Sequence, residues 1–184
     1  MKITILAPDA SGLVEWPTLS ANRKSVVTVG VFDGMHRGHQ AVIRRAVELA
    51  KADKAFSVVV MFDPRPGVVH AYAAAHDGQE PGDGFRDPMA LTSVDQRLRT
   101  LENLGVDHVL IVRYTLAFAT KSYRFFLGQM VGKLGMRTLV LGTDAAMGAN
   151  RAGDVKAIGV LAQATGVFAV SYTHLRAHET TLHL

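Results

Sequence analysis

Two histidines lie among closely spaced glycines, directly after a run of apolar, β-branched residues. The segment Gly30 to His39 reads Gly-Val-Phe-Asp-Gly-Met-His-Arg-Gly-His, so His36 and His39 are three residues apart with Gly38 between them. Imidazole nitrogens can donate hydrogen bonds to phosphate oxygens and stabilise charge that develops during phosphoryl or nucleotidyl transfer. Glycines let the backbone approach a ligand closely. The spacing indicates a phosphate-binding site, with a purely structural role as the alternative.

The elements on either side of the histidines are those that a phosphate site needs. Val26 to Val31 is short, continuous and apolar, which is typical of a buried strand. After the histidines, apolar residues recur at helical spacing with charged residues on the opposite face. A helix that begins at the histidines presents free backbone N–H groups and a partial positive charge to a phosphate. Its apolar stripe consists of Val42, Ile43, Ala46, Leu49 and Ala50.

The rest of the chain alternates between strand and helix patterns. Strands that alternate with helices imply right-handed crossovers and a parallel sheet covered on both faces. We therefore expect an α/β fold with a doubly wound parallel sheet, in which ligands bind at the carboxyl ends of the strands. The further predicted strands are Phe56 to Phe62, His108 to Val112, Thr138 to Leu141 and Gly166 to Val170. The further predicted helices run from the cap Ser93 to Gly105, from Ser122 to Leu134 and from Asp154 to Ala164.

One long segment has no periodicity. Between Gly67 and Ala90 neither the helix nor the strand period is present, and His76 to Pro88 is dense in Gly, Asp and Pro. This composition predicts a long loop or flap. A functional loop and a disordered insertion are equally compatible with it.

Composition limits the class of protein. At 184 residues, 48% hydrophobic and 20% charged, the chain suits one globular domain. It has no cysteine, which excludes disulfides, thiolate metal sites and thiol nucleophiles. Its net charge of +4 fits a polyanionic small substrate or a solvated basic surface, whereas scattered arginines without interleaved aromatics argue against nucleic acid. The sequence has no membrane-length apolar run and no signal-peptide pattern, so we expect a cytoplasmic protein.

Several segments resemble one family. The pattern G-x-F-D-x-x-H-x-G-H at residues 30–39 is similar to the ATP-binding signature of nucleotidyltransferases and, in this extended form, to that of bacterial FAD synthetases. Met61 to Pro66 resembles that family's F-x-P-H-P element beside the flavin, with Arg65 in place of the usual His. Leu91 to Ser93 and Leu104 to Asp107 resemble its L-T-S and L-G-V-D elements. Leu141 to Asp154 resembles G-x-D-F-x-F-G followed by R-x-G-D.

The resemblance implies a Rossmann-like HxGH nucleotidyltransferase domain that transfers the AMP moiety of ATP to FMN, giving FAD and pyrophosphate. ATP and FMN would be the substrates and Mg²⁺ the metal, and the parent protein would also phosphorylate riboflavin. By position, His36 and His39 would be catalytic and contact the ATP phosphates. The implied nucleotide-binding residues are Gly30, Phe32, Asp33, Gly38, Gly142, Asp144 and Arg151, with Asp144 also near magnesium. The implied flavin-binding residues are Phe62, Pro64 and Pro66.

Other roles for these residues stay open. Phe62 also suits a hydrophobic core, the prolines suit a strand end, and Asp144 suits a turn or helix cap. Where the family has Phe, an often basic residue and Phe, this chain has Ala145, Ala146 and Met147, which removes aromatic surface from the site. Another HxGH nucleotidyltransferase, or a truncated ATP- and flavin-binding fragment without turnover, are the alternative functions.

The end of the chain departs from the family. We expect residues 1–170 to form the nucleotidyltransferase domain and residues 171–184 to be a non-native tail, which occupies the place of the family's S-S-T-x-I-R motif. We also expect the family's riboflavin kinase domain to be missing from this sequence. His174 and His178 have the i, i+4 spacing of helical metal ligands but lack a third ligand, so we leave them out of the functional argument.

Overall fold

A twisted sheet forms the centre of the computed structural model, which describes residues 1–143, 145–172 and 179–181. Six strands are parallel and the last, β9, is antiparallel to its neighbour, in the order β1-β4-β3-β2-β5-β8-β9. The strands of this sheet are β1 Lys2–Leu6, β2 Ser25–Gly30, β3 Phe56–Phe62, β4 His108–Val112, β5 Met136–Gly142, β8 Phe168–Tyr172 and β9 Glu179–Thr181. A separate two-stranded hairpin contains β6 Ala146–Met147 and β7 Gly153–Asp154. The predicted doubly wound α/β fold is confirmed.

Helices cover both faces of the sheet. Alternate residues of β3 point to opposite sides, so Val59 and Met61 pack beneath α1 and α3 while Val58 and Val60 pack beneath α5. The helices are α1 Arg37–Ala52, α2 Pro66–Ala75, α3 Val94–Asn103, α4 Leu116–Ala119, α5 Tyr123–Leu134 and α6 Val155–Thr165. None of the helices in the described ranges is both long and apolar enough to cross a bilayer.

The chain reverses its direction of travel across the sheet at β2. The strands after β2 add outward on one side as β3 and β4, and β5 then returns to pair with β2 on its other side. Loops from β2 and β5 consequently leave in opposite directions at the carboxyl edge of the sheet. That divergence leaves a crevice where doubly wound sheets bind their ligands.

The helix ends follow the sequence signals. Ser93 and Gln96 form the predicted capping box at α3, Ser122 caps α5, and Asp154 caps α6. Gly135 closes α5 with a left-handed φ of 63°, a conformation that costs glycine little.

Six of the helices and strands were not predicted: β1, α2, α4, β6, β7 and β9. β1 adds an edge strand beside β4, and α2 occupies the start of the segment expected to be an aperiodic loop from Gly67. Only the later part of that segment, between α2 and α3, has no regular structure. The predicted loop is therefore wrong in its first part, which forms α2.

Candidate active site

A cavity of about 780 Å³ opens at the carboxyl edge of the sheet, where the loops after β2, β3 and β4 meet the β6–β7 hairpin. Its size is within the range of small-molecule sites. Seven residues singled out from the sequence line it together. They are Gly30, Phe32, Asp33, His39, Phe62, Pro66 and Arg151.

The two histidines form one unit at the start of α1. His36 is the N-cap, and its Nδ1 accepts a hydrogen bond from the backbone N–H of His39 at 3.3 Å. The two imidazole rings stack with centroids 3.5 Å apart. Because Nδ1 of His36 accepts, a neutral His36 ring carries its proton on Nε2. His39 lines the cavity, and the exposed His36 stacks against it.

Phe32 fixes the position of His39. Its ring lies edge-on to the His39 ring at 5.6 Å and is almost fully buried. A Cβ on Gly30 would lie only 3.0 Å from the Phe32 ring, so the absent side chain at residue 30 is what makes room for it. Phe32 adopts a left-handed φ of 54°, which is unusual for an aromatic residue, and its buried ring packing offsets that strain.

Asp33 binds the segment before α3. Its carboxylate accepts hydrogen bonds from the backbone N–H groups of Leu91 and Thr92 and from the Thr92 hydroxyl, all at 3.0 Å. The Thr92 hydroxyl in turn accepts from the Gly34 N–H at 2.9 Å. Burial alone raises the pKa of Asp33, but these donors outweigh it and the net pKa is lowered. The family-like L-T-S element is therefore attached to the loop between β2 and α1, residues 31–36, which we call the histidine loop.

Arg65, which replaces the family's usual His, forms an ion pair at the rim. Its Nε and Nη2 both donate to the carboxylate of Asp87, the second at 2.9 Å, and Nε is 3.8 Å from Asp33. The hydrogen bond to Asp87 raises the pKa of Arg65, and the same bond lowers the pKa of Asp87. Arg65 thereby joins the end of β3 to the long loop and to the histidine loop.

Four aromatic side chains line the same cavity as His39 and form what we call the aromatic wall: Phe62, Tyr114, Phe118 and Phe126. Phe62 contacts the rings of Tyr114, Phe118 and Phe126, with centroids 5.8 to 6.4 Å apart. Burial raises the pKa of Tyr114, whose hydroxyl is 2.9 Å from Nε2 of His70. The sequence interpretation had only Phe62 from this wall, because Tyr114 and Phe118 belong to no motif and reach the site through α4 and the loop before it.

The segment from Ala145 to Arg151 forms the third side of the cavity. Ala145, Ala146 and Met147 all line it, so the departures from the family pattern are in the cavity lining. Lys121 also lines it and was missed, since a single lysine carries no sequence signal. The backbone carbonyl of Lys121 accepts a hydrogen bond from Ala149 at 2.9 Å, which holds the segment against the start of α5.

The remaining predicted residues lie elsewhere. Three predicted site residues are close in sequence to residues of the cavity lining but do not line the cavity themselves: His36, Gly38 and Gly142. Pro64 lines a separate cavity of about 320 Å³ together with Tyr114, and not the cavity that contains His39. Asp144, His174 and His178 lie outside the described residues.

The described residues contain no group of three His, Asp or Glu side chains arranged to hold a metal ion. Asp33 is the acidic residue of the cavity lining, and its oxygens already accept three hydrogen bonds. Among the described residues there is therefore no complete set of protein ligands for magnesium.

Fold and site together define a doubly wound α/β domain in which a histidine-bearing helix start faces an aromatic cavity. The chain belongs to the FAD synthetase family, whose model matches residues 18–182. The resemblance stated from the motifs is thereby confirmed.

Individual relatives agree with this assignment. The chain is 34% identical over 130 residues to the bifunctional riboflavin kinase/FMN adenylyltransferase of Escherichia coli, covering 70% of this chain and 38% of that protein. It is 31% identical over 131 residues to the putative bifunctional riboflavin kinase/FMN adenylyltransferase of Geobacillus thermodenitrificans, covering 71% of this chain and 64% of that protein. The chain thus spans less than two thirds of either relative.

A solved structure supports the fold. The crystal structure described as a macrolide-efflux protein from Streptococcus pneumoniae superimposes with a TM-score of 0.67 at 22% identity. The match covers 85% of this chain and 47% of that one.

Proposed function

We propose that this chain transfers the AMP moiety of ATP to FMN and so produces FAD. An oxygen of the FMN phosphate attacks the α-phosphorus of ATP, a new P–O–P bond forms, and the bond to the β-phosphate breaks to release pyrophosphate. The observation that carries the proposal is the single cavity with the histidine helix start on one side and the aromatic wall on the other. The two halves suit a polyphosphate and a flavin ring respectively.

The helix start is the proposed site of the ATP phosphates. Backbone N–H groups in the first turn of α1 have no carbonyl partner within the helix, and the helix dipole adds a partial positive charge. His39 at the cavity surface and Nε2 of His36 would supply side-chain donors. Such donors, fixed before the reaction, stabilise charge that develops on the α-phosphate and on the leaving pyrophosphate.

The aromatic wall is the proposed site of the flavin. Phe62 with Tyr114 and Phe118 offers ring edges and faces to an isoalloxazine, and Pro66 closes the surface at the start of α2. Lys121 and Arg151 line the same cavity and would neutralise phosphate charge between the two ligands.

Magnesium belongs to the proposal as a companion of ATP. Because the described residues form no cage for it, the ion would be held mainly by the triphosphate, as Mg²⁺ in nucleotide sites commonly is. Asp144, outside the described residues, remains its candidate protein ligand. Riboflavin phosphorylation by the parent protein and a cytoplasmic location are part of the same proposal.

The rival function is nucleotidyl transfer to a smaller phosphorylated acceptor. The aromatic wall favours a flavin over an acceptor without a ring system, because stacked or edge-on aromatic contacts would be unused by such a ligand. A fragment that binds both ligands without turnover is the other rival, motivated by Ala145 and Ala146 at the ligand surface.

The experiment that separates these functions is incubation of the chain with ATP, Mg²⁺ and FMN, followed by chromatography for FAD and a parallel assay for pyrophosphate. Equal amounts of FAD and pyrophosphate are expected, and both should vanish with EDTA. Calorimetry with each ligand alone decides the other cases. Binding of both without FAD identifies an inactive fragment, and binding of ATP without FMN supports another acceptor.

A further inference from the structure

Arg97 is the largest fully buried side chain of the described residues, with 2% of its surface exposed. It lies in the first half of α3, where the neighbouring Asp95, Gln96 and Arg99 are all exposed to solvent. Arginine is almost never fully buried unless it is paired, because removing a guanidinium from water is costly. Its two hydrogen-bonding partners are therefore the reason for its position.

Those partners belong to the two halves of the candidate site. Nη1 of Arg97 donates to the backbone carbonyl of Val31 at 3.1 Å, directly before the Phe32–Asp33 pair. Nη2 donates to Oδ1 of Asp63 at 3.0 Å, directly after Phe62. One rigid, planar group thus connects the end of β2 with the end of β3.

Strand pairing by itself does not fix the distance between Val31, after β2, and Asp63, after β3. The register between β2 and β3 ends with Gly30 opposite Met61, so Val31 and Asp63 lie just beyond the last paired residues. Asp63 keeps a backbone hydrogen bond to β4, from its N–H to the Val112 carbonyl at 3.1 Å, but no strand pairing joins Asp63 to Val31. Arg97 connects the two loops at the point where ladder pairing stops.

The helix itself is held against the histidine loop. Thr92, just before α3, binds Asp33 and Gly34, and Val94 and Leu98 pack against the cluster that contains Phe32 and Met35. Arg97 is therefore carried by an element that cannot move independently of the loop.

We propose that Arg97 is a positioning residue that sets the separation of the ATP-binding loop and the flavin-binding strand end. The proposal rests on the proposed function. In-line transfer requires the FMN phosphate and the α-phosphorus to be aligned, and a misplacement of about 1 Å can cost on the order of 100-fold in rate. Arg97 touches neither reacting group, so its loss should affect turnover more than the binding of either ligand alone.

The test compares Arg97→Met, Arg97→Lys and Arg99→Met with the wild-type chain. Met keeps the length of the side chain without its donors, Lys keeps the charge without the planar fork, and Arg99 is the exposed arginine two residues along the same helix. We expect kcat for FAD formation to fall about 100-fold in Arg97→Met, with the KM values for ATP and FMN within about threefold of wild type. Arg97→Lys should be intermediate, and Arg99→Met should match wild type.

A second readout does not depend on turnover. The dissociation constant of FMN is measured by calorimetry with and without α,β-methylene-ATP, which cannot transfer AMP. In wild type the analogue should change FMN affinity, and in Arg97→Met that coupling should disappear while each ligand still binds alone. If Arg97→Met does not fold, Asp63→Asn weakens the same bridge from its other end and should show the same pattern.

The outcomes separate the two proposals. A wild-type chain that binds both ligands but makes no FAD overturns the proposed function, and the coupling measurement then still decides the role of Arg97. A wild-type chain that does not bind both ligands overturns both proposals. An active wild type with an Arg97→Met variant of equal kcat and equal coupling, whatever its melting temperature, overturns the positioning role and leaves Arg97 purely structural.

Discussion

His39 is the residue through which the helix start reaches the cavity, since its ring lines the cavity and is held between His36 and Phe32. Replacing it by Asn removes the imidazole donor. We expect FAD formation to fall by about 100-fold or more, because loss of one donor to developing charge typically costs that much. The rate is measured at saturating ATP and FMN. His76→Asn, an exposed histidine outside the cavity lining, is the control, and equal losses in both variants would contradict the role.

The Arg65–Asp87 pair should make stability depend on pH. The hydrogen bond from Arg65 lowers the pKa of Asp87 in the folded chain below the unfolded value of about 3.9. The stabilisation is therefore fully present above the unfolded pKa and is lost as the pH falls through the folded one. Asp87→Asn should be less stable than wild type at pH 7 and lose less stability between pH 5 and pH 3.

Urea unfolding at pH 7, 5, 4 and 3 measures this difference. Asp77→Asn is the matched control, because Asp77 lies in the same loop, is exposed and has a left-handed φ that Asn tolerates. Parallel stability curves for wild type and Asp87→Asn would show that the pair contributes no acid sensitivity.

Residue types alone reveal only part of this site. The histidine loop and Phe62 follow from motifs that are continuous in sequence, and the structure places His39, Asp33 and Phe62 around one cavity. In the sequence Arg97 is only one of the scattered arginines, because a charged residue on a polar helix is normally solvated. Its burial depends on Val31 and Asp63, which are 66 and 34 residues away along the chain.

At the scale of elements, predictions succeeded where periodicity and caps agreed. The capping box of α3 and the Ser122 and Gly135 ends of α5 are local, so the sequence determines them. α2 was missed because Pro66 begins a helix that is apolar on nearly all sides and therefore shows no helical stripe. β1 was missed because an edge strand with exposed Ile3 and Ile5 lacks the buried pattern of the inner strands.

The β6–β7 hairpin depends on glycine for its contact with α5. Gly148 has φ 79° and ψ 177°, a region that is open essentially to glycine alone. A Cβ there would lie 2.3 Å from the backbone nitrogen of Tyr123. Gly148→Ala should destabilise the fold by about 1–3 kcal/mol and weaken ligand binding, because it displaces Ala145 to Arg151 from the cavity wall.

Gly128→Ala is the matched control for this substitution. Gly128 lies on the exposed side of α5, and a Cβ there would meet no atom within 4 Å. That variant should gain about 0.5–1 kcal/mol, because alanine is the better helix former. Urea unfolding gives both values, and a Gly148→Ala variant as stable as Gly128→Ala would show that the hairpin is not held as described.

At the scale of the whole molecule, the proposed transfer requires that ATP and FMN bind in the shared cavity at the same time. About 780 Å³ bounded by the histidine loop, the aromatic wall and the β6–β7 hairpin forms one continuous space among the described residues. A transfer reaction in one space is possible only if the two ligands bind to different walls of it. If the two ligands competed for the same wall, the FMN phosphate would stay outside the cavity while ATP was bound.

Thermal unfolding can distinguish joint from competitive binding. A ligand that binds only the folded chain stabilises it by about 2.7 kcal/mol at 100 times its dissociation constant. With α,β-methylene-ATP and FMN present together at such concentrations, joint binding should give roughly the sum of the two separate stabilisations. Competition should give little more than the larger one. A combined stabilisation well above the larger single value would place the nucleotide and the flavin side by side, and its departure from the exact sum would measure the coupling between them. A value close to the larger single one would mean that the aromatic wall and the histidine loop bind one ligand between them.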